Sequence, residues 1–187
     1  EDLAPLYEGA EATATRALFD RAWRSLNFVG HAGVAVMALC ALDTACWDLA
    51  AQTAGLPLWR FLGGSRQRVP TYASSGLWLH RSVDELVAEA ERFLAAGHRA
   101  MKMRLGKRRP GEALERARAL RAAVGPDVAL LADVNQGWDE ATAIRTGRAL
   151  EEIGLYWLEE PLPYENLEGA ARVAAALDTP IASGETE

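Results

Sequence analysis

Leu130-Leu131-Ala132-Asp133-Val134-Asn135 is an apolar run that meets an acid, and the same grammar returns twice. It recurs in Trp157-Leu158-Glu159-Glu160-Pro161 and in Ile181-Ala182-Ser183-Gly184-Glu185. Asp133, Glu159 and Glu185 follow one another at intervals of 26 and 26 residues. An apolar run of this length, rich in Leu, Ile and Val and bounded by turn residues, reads as a buried strand. Amphipathic stretches at 112–124, 140–153 and 167–177 read as helices, the first before the runs and the other two between them. Two further strand candidates, 69–74 and 100–104, precede them, with a helix expected over 83–96 between the two.

Strand and helix alternating at a period of roughly 25–30 residues implies a parallel sheet with crossover helices. The regularity favours a closed (β/α) barrel over an open doubly wound sheet. Such a barrel takes about 250 residues and eight strands. Five candidates therefore amount to a partial barrel, whose strand number, tilt and shear would not close by themselves. Glycines 63 and 64 precede a strand rather than follow one, so they mark a turn and not a phosphate loop.

Upstream the grammar differs. Residues 12–25 read as a helix, and a longer one runs over 33–54, apolar nearly all round and so expected to be packed on two sides. Gly55 and Pro57 end it. The division expected is 1–64 for a helical part of one domain and 65–187 for the first part of a catalytic barrel. The chain starts at Glu1 in a loop-like stretch and stops at Glu187 just after a strand, so both ends read as cut.

Adjacent strands lie about 4.8 Å apart, so acids at one phase of three consecutive units converge on the C-terminal rim of the sheet. Three unpaired anions there would repel and take up protons. A hard divalent cation resolves the conflict, and an oxygen-only donor set selects Mg²⁺, Mn²⁺ or Ca²⁺ over zinc. The competing reading is that acids after strands are helix N-caps; recurrence at one phase argues against it. On the strand 100–104, Lys102 and Arg104 share a face, with Met101 and Met103 on the other. A lysine beside a fixed cation and a metal has a lowered pKa and can serve as a base. Arginine stays protonated and suits a carboxylate clamp. The bland alternative is that both simply pair with the neighbouring acids.

Composition bounds the rest. Half of the 187 residues are hydrophobic and a quarter charged, which is ordinary for a globular chain. A formal charge of −6 argues against a nucleic-acid partner. The basic run Lys107-Arg108-Arg109 reads as a solvated loop. Cys40 and Cys46 lie on different faces of one helix, so no disulfide joins them, and a reduced, cytoplasmic setting is expected. Neither a signal peptide nor an uninterrupted apolar run of about 20 residues is evident, so no membrane span is expected. His31 reads as a capping or surface residue, His98 as part of a turn on the non-catalytic side, and His80 as the one histidine on the proper side of the barrel. Asp43 and Asp48 read as structural, paired to backbone or arginine.

The run from Gly33 through Ala41-Leu42-Asp43, Trp47-Asp48-Leu49 and Gly55-Leu56-Pro57 to Leu62-Gly63-Gly64 resembles the last helices of the enolase-superfamily capping domain, an α+β domain. The Lys-x-Arg, Asp-x-Asn, Trp-x-Glu-Glu-Pro and Gly-Glu elements resemble the mandelate racemase and muconate lactonizing branch, in order and spacing. The resemblance implies an enolase-type partial barrel with Asp133, Glu159 and Glu185 as Mg²⁺ ligands. It implies Ser74 and Asn135 as substrate-binding positions and Glu160 as a support to the ligands. The family usually has Lys-x-Lys on the second strand, its later lysine being the base; Arg104 departs from that. The reaction implied is abstraction of the proton alpha to a carboxylate, with Lys102 and Arg104 catalytic. Dehydration of a sugar-derived acid is expected, with racemisation, epimerisation or cycloisomerisation as alternatives, and an inactive fragment as the alternative of another class. A homo-oligomeric full-length form is expected.

Overall fold

The computed structural model describes residues 3–106 and 109–185 and divides the chain into two compact units, 1–69 and 70–187. Lys107 and Arg108 of the basic run lie outside the described residues.

The first unit is helical: α1 (Ala4–Tyr7), α2 (Thr15–Ser25), α3 (Val34–Thr53) and α4 (Leu58–Phe61). Leu3, Ala22, Leu26 and Leu39 form its small core, with Leu6, Phe19 and Leu42 packed against it. α3 departs from expectation in two ways. It buries only Leu39, Cys46, Ala50 and Ala51, while Val34 and Met37 are exposed; its apolar girdle exceeds what this unit covers. It is also long and apolar enough to cross a membrane by length and composition, because Asp43 and Asp48 dilute its hydropathy too little to fail that test. Asp48 pairs with Gln52 one turn on, at 2.6 Å, rather than with arginine. Both cysteines are free.

The second unit is α/β. Strands β1 (Ala100–Arg104), β2 (Ala129–Asp133), β3 (Leu158–Glu159) and β4 (Ile181–Ala182) form one parallel sheet in sequence order. Helices α5 (Val83–Ala95), α6 (Pro110–Val124), α7 (Glu140–Glu151) and α8 (Leu167–Ala176) make the crossovers. Their starts are written in the sequence. Ser82 and Glu85 form a reciprocal capping box on α5, Asp139 caps α7, Asn166 caps α8, and Pro110 opens α6 where its missing N–H costs nothing. Met101, Met103, Leu130, Ala132 and Leu158 face the helices, within a core that includes Leu86, Leu120, Leu150 and Val173. The opposite face of β1, β2 and β3 carries Lys102, Arg104, Leu131, Asp133 and Glu159, by the alternation of a strand.

The expected first strand, 69–74, forms only an isolated parallel bridge, Ala73 to Met101. Ala73 N–H donates to Ala100 O and Ala73 O accepts from Lys102 N–H. A continuing ladder would next pair Ser75 with Met103 and have Arg104 N–H donate to Ser75 O. Instead Arg104 N–H donates to Leu77 O, two residues further on. Gly76 at φ 153° and Leu77 at φ 51° absorb the surplus as a bulge, which cuts the strand short. β3 also ends early, because Glu160 turns at φ 41° and Pro161 offers no N–H.

Candidate metal centre

The register sets the site. Arg104 pairs with Asp133, Asp133 with Glu159, and Glu159 with Ala182, so a row of charged groups crosses the C-terminal end of the sheet. Asp133 is fully buried, Glu159 half-buried and Glu185 exposed, and one carboxylate oxygen from each lies within 4.8 Å of the others. Glu185 stands beyond β4 and reaches the cluster after Gly184, whose φ is 117°.

Lys102 is 4% exposed. Its ammonium lies 2.5 Å from Glu159 Oε1 and 3.2 Å from Asp133 Oδ2. Arg104 NH1 lies 3.3 Å from the same Asp133 oxygen. Burial pulls the Lys102 pKa down, but the hydrogen bonds to Glu159 and Asp133 outweigh it, so it stands above the ordinary lysine value. Without a metal, the acids beside Lys102 act more strongly than Arg104 does. The pairing with neighbouring acids and the convergence of those acids are therefore both present.

The backbone and aromatic groups around the acids hold them in place. Asn135 N–H donates to Asp133 Oδ1 at 2.9 Å, with Asn135 at φ 48° and its side chain exposed. Trp157 Nε1 donates to Glu159 Oε2 at 2.9 Å. Tyr72 meets the Trp157 ring edge-on and lies 5.8 Å from the Lys102 ammonium. The Trp78 ring lies 5.1 Å from the Arg104 guanidinium carbon. Glu160 is buried away from the row and accepts from Gln136 Nε2, while Gln136 Oε1 accepts from Tyr164 N–H. Ser74 is half-buried beside the bridged Ala73. His98 meets Phe93 edge-on at the turn before β1. His80 lines a cleft of about 370 Å³ with Arg81, Glu85 and Glu112. Sequence reasoning passed over Tyr72, Trp78 and the indole of Trp157. The last was legible, since Trp157 lies two residues before Glu159 and so shares its face.

The donor set fits a hard divalent cation. Its oxygens converge, and three carboxylates face only two cations there, with Asp133 Oδ2 buried between Lys102 and Arg104.

Parallel βα units here set acids of successive strands around one point, an arrangement that could hold a metal on an α/β fold. The chain belongs to the enolase superfamily, in its mandelate racemase and muconate lactonizing branch. Residues 85–187 match the enolase C-terminal domain-like family, and residues 1–63 match the N-terminal domain of mandelate racemase and muconate lactonizing enzymes. L-talarate/galactarate dehydratase of Salmonella typhimurium is 43% identical over 157 residues, covering 84% of this chain and 39% of the relative. A racemase of Streptomyces coelicolor, solved with bound magnesium, superposes with a TM-score of 0.94 at 38% identity, covering 100% of this chain and 52% of that one. L-talarate dehydratase of Polaromonas, solved with Mg and L-glucarate, gives 0.87 at 37% identity, covering 95% and 50%. Other curated relatives include cycloisomerases and an L-Ala-D/L-Glu epimerase. The chain thus spans about half the length of these relatives or less, and it carries part of their barrel.

Proposed function

We propose that this chain supplies the metal-binding half of a Mg²⁺-dependent enzyme that removes the proton alpha to the carboxylate of a sugar-derived acid, and that the reaction ends in dehydration. The observation that carries this reading is the convergence of Asp133, Glu159 and Glu185 beside two buried cations. Asp133, Glu159 and Glu185 would hold Mg²⁺, which supplies electrostatic stabilisation of the charge that builds on the substrate carboxylate.

The chain's own residues do the rest. Trp157 and the Asn135 N–H fix the carboxylates of Glu159 and Asp133. Lys102 is the group that can accept the alpha proton once a metal takes up Glu159 and Asp133, because the acids that hold its proton are then occupied and a cation stands beside it. Arg104 adds a planar cation that cannot accept a proton at neutral pH. It therefore clamps and does not act as the base, although it stands where the family usually places one. Ser74 and Asn135 offer short polar side chains for substrate hydroxyl or carboxylate oxygens. The relatives named as dehydratases of talarate and galactarate support the acid-sugar reading. Racemisation, epimerisation or cycloisomerisation is the second reading, favoured by the racemase and cycloisomerase relatives that cover nearly the whole chain.

The test is to incubate the full-length protein with Mg²⁺ and a panel of acid sugars in D₂O. Loss of the alpha-proton NMR signal with appearance of a 2-keto acid is expected, and EDTA should abolish both. Exchange with inversion and no keto acid would replace dehydration by racemisation. No exchange with any member would remove the proposal.

A further inference from the structure

The bulged segment before α5 is gripped from three sides. Leu77 N–H donates to Glu89 Oε2 on α5 at 2.7 Å, and Leu77 O accepts from Arg104 N–H on β1. Arg116 on α6, itself 4% exposed, donates NH1 to Arg81 O at 2.7 Å and NH2 to Trp78 O at 3.0 Å. At Gly76 a Cβ would stand 2.6 Å from the Phe93 ring, so the backbone lies directly on α5. A surface loop does not need a buried arginine aimed at its carbonyls. What this loop delivers is the Trp78 ring, set 5.1 Å from the Arg104 guanidinium and still 43% exposed. Arg104 thus has an indole on one side and Asp133 on another.

We propose that Trp78 is the positioning residue for Arg104, and that Arg116 in turn sets Trp78. A flat guanidinium stacks on an indole, whereas an ammonium on a flexible stem is not held in one orientation by it. The device therefore explains why arginine stands at position 104: the loop supplies the surface that fixes a planar cation. It also makes Trp78 a determinant of which carboxylates Arg104 can clamp. That second half rests on the function proposed above; the stacking itself does not.

The experiment uses full-length protein carrying ¹⁵N-labelled arginine, with the Arg104 Nε–Hε resonance assigned by Arg104→Lys. A ring-current-shifted resonance is expected in the wild type, lost in Trp78→Ala and kept in part in Trp78→Phe. Arg116→Lys should move it toward the Trp78→Ala position. If Arg116→Lys does not fold, the two substitutions at half-exposed Trp78 still decide. With Mg²⁺ and L-glucarate, Trp78→Ala should raise KM for alpha-proton exchange about 3- to 30-fold, the range of a cation–π contact, with kcat little changed. In that background Arg104→Lys should add less than about 2-fold, because the placement is already lost. An unshifted wild-type resonance, or one unchanged by Trp78→Ala, overturns the proposal, as do independent multiplicative effects of the two substitutions. A shifted resonance that Trp78→Ala abolishes, in a protein that exchanges no acid sugar, supports the stacking and counts against the proposed function alone.

Discussion

The two ends of the parallel sheet are built on opposite principles. At the C-terminal end lie Lys102, Arg104, Asp133 and Glu159, charged and mostly buried, with Asp133 Oδ2 shared between the two cations. All four non-glycine residues with positive φ among the described ones, Leu77, Asn135, Gln136 and Glu160, are in the loops at that end. At the N-terminal end the left-handed positions are glycines, Gly97, Gly125 and Gly154, each between a helix and the next strand. There Arg121 donates to the carbonyls of Gly125, Val128, Ile153 and Gly154 at 2.8–3.0 Å, which ties α6 to β2 and to the end of α7. Burial lowers its pKa, yet backbone carbonyls satisfy its guanidinium. One end stores unfavourable geometry next to chemistry; the other removes it.

The largest expected effect tests the first end. Asp133→Asn in the full-length protein should weaken Mg²⁺ binding by more than about 100-fold and abolish turnover. It should also destabilise by about 3 kcal/mol, because Lys102 and Arg104 lose a buried partner. Titration calorimetry and urea unfolding read the two effects. Unaltered Mg²⁺ affinity would mean that the acids are an ion-pair cluster and nothing more. Arg121→Met should also cost about 3 kcal/mol, through four carbonyls left without their donor. Here Mg²⁺ affinity of the folded protein should stay unchanged. A loss of affinity would break the division between the ends.

Asn135 sharpens the comparison at a smaller scale. Its backbone N–H holds Asp133, while its side chain is exposed. Asn135→Gly preserves the left-handed backbone and should leave stability unchanged, but raise KM about 3- to 10-fold by removing one neutral hydrogen bond to substrate. Asn135→Ala should raise KM equally and destabilise by about 1 kcal/mol, because alanine tolerates φ 48° poorly. An unchanged KM in both would confine Asn135 to its backbone role.

These residues also mark where sequence reading stops. The spacing of the three acids and the shared face of Lys102 and Arg104 follow from periodicity, which the backbone obeys wherever the sheet is regular. Trp78 escaped because it follows a bulge, and a bulge changes which side chain faces inward. Glu89 and Arg116 grip that segment from α5 and α6 respectively, contacts that depend on helix placement. In a linear reading both pass for solvated charges on amphipathic helices. The exposure of α3 escaped for a related reason: an all-round apolar helix states a need for cover and does not say which residues provide it.

The smallest expected effect concerns acid. The crossover helices start at the chemical end of the sheet, and two of them start on carboxylates. The Thr142 N–H holds the Asp139 carboxyl below its ordinary 3.8, and the Ser82 backbone N–H, with its side chain, holds Glu85 below 4.5. A pKa lowered in the folded state gives stability that is fully present above the unfolded value and disappears as pH falls through the folded one. Both contributions should therefore be constant above about pH 5 and fade between roughly pH 4 and pH 3. α8 is capped by neutral Asn166, which accepts from Gly169 N–H at 3.0 Å and does not titrate. Melting curves from pH 7 to pH 3 should show Glu85→Gln and Asp139→Ala less stable than wild type at neutral pH and converging with it in acid. Asn166→Ala should remain less stable by the same margin throughout. Parallel curves for all three would show that the carboxylate caps act through shape alone, and that the charge at this end of the sheet is confined to the row from Lys102 to Glu185.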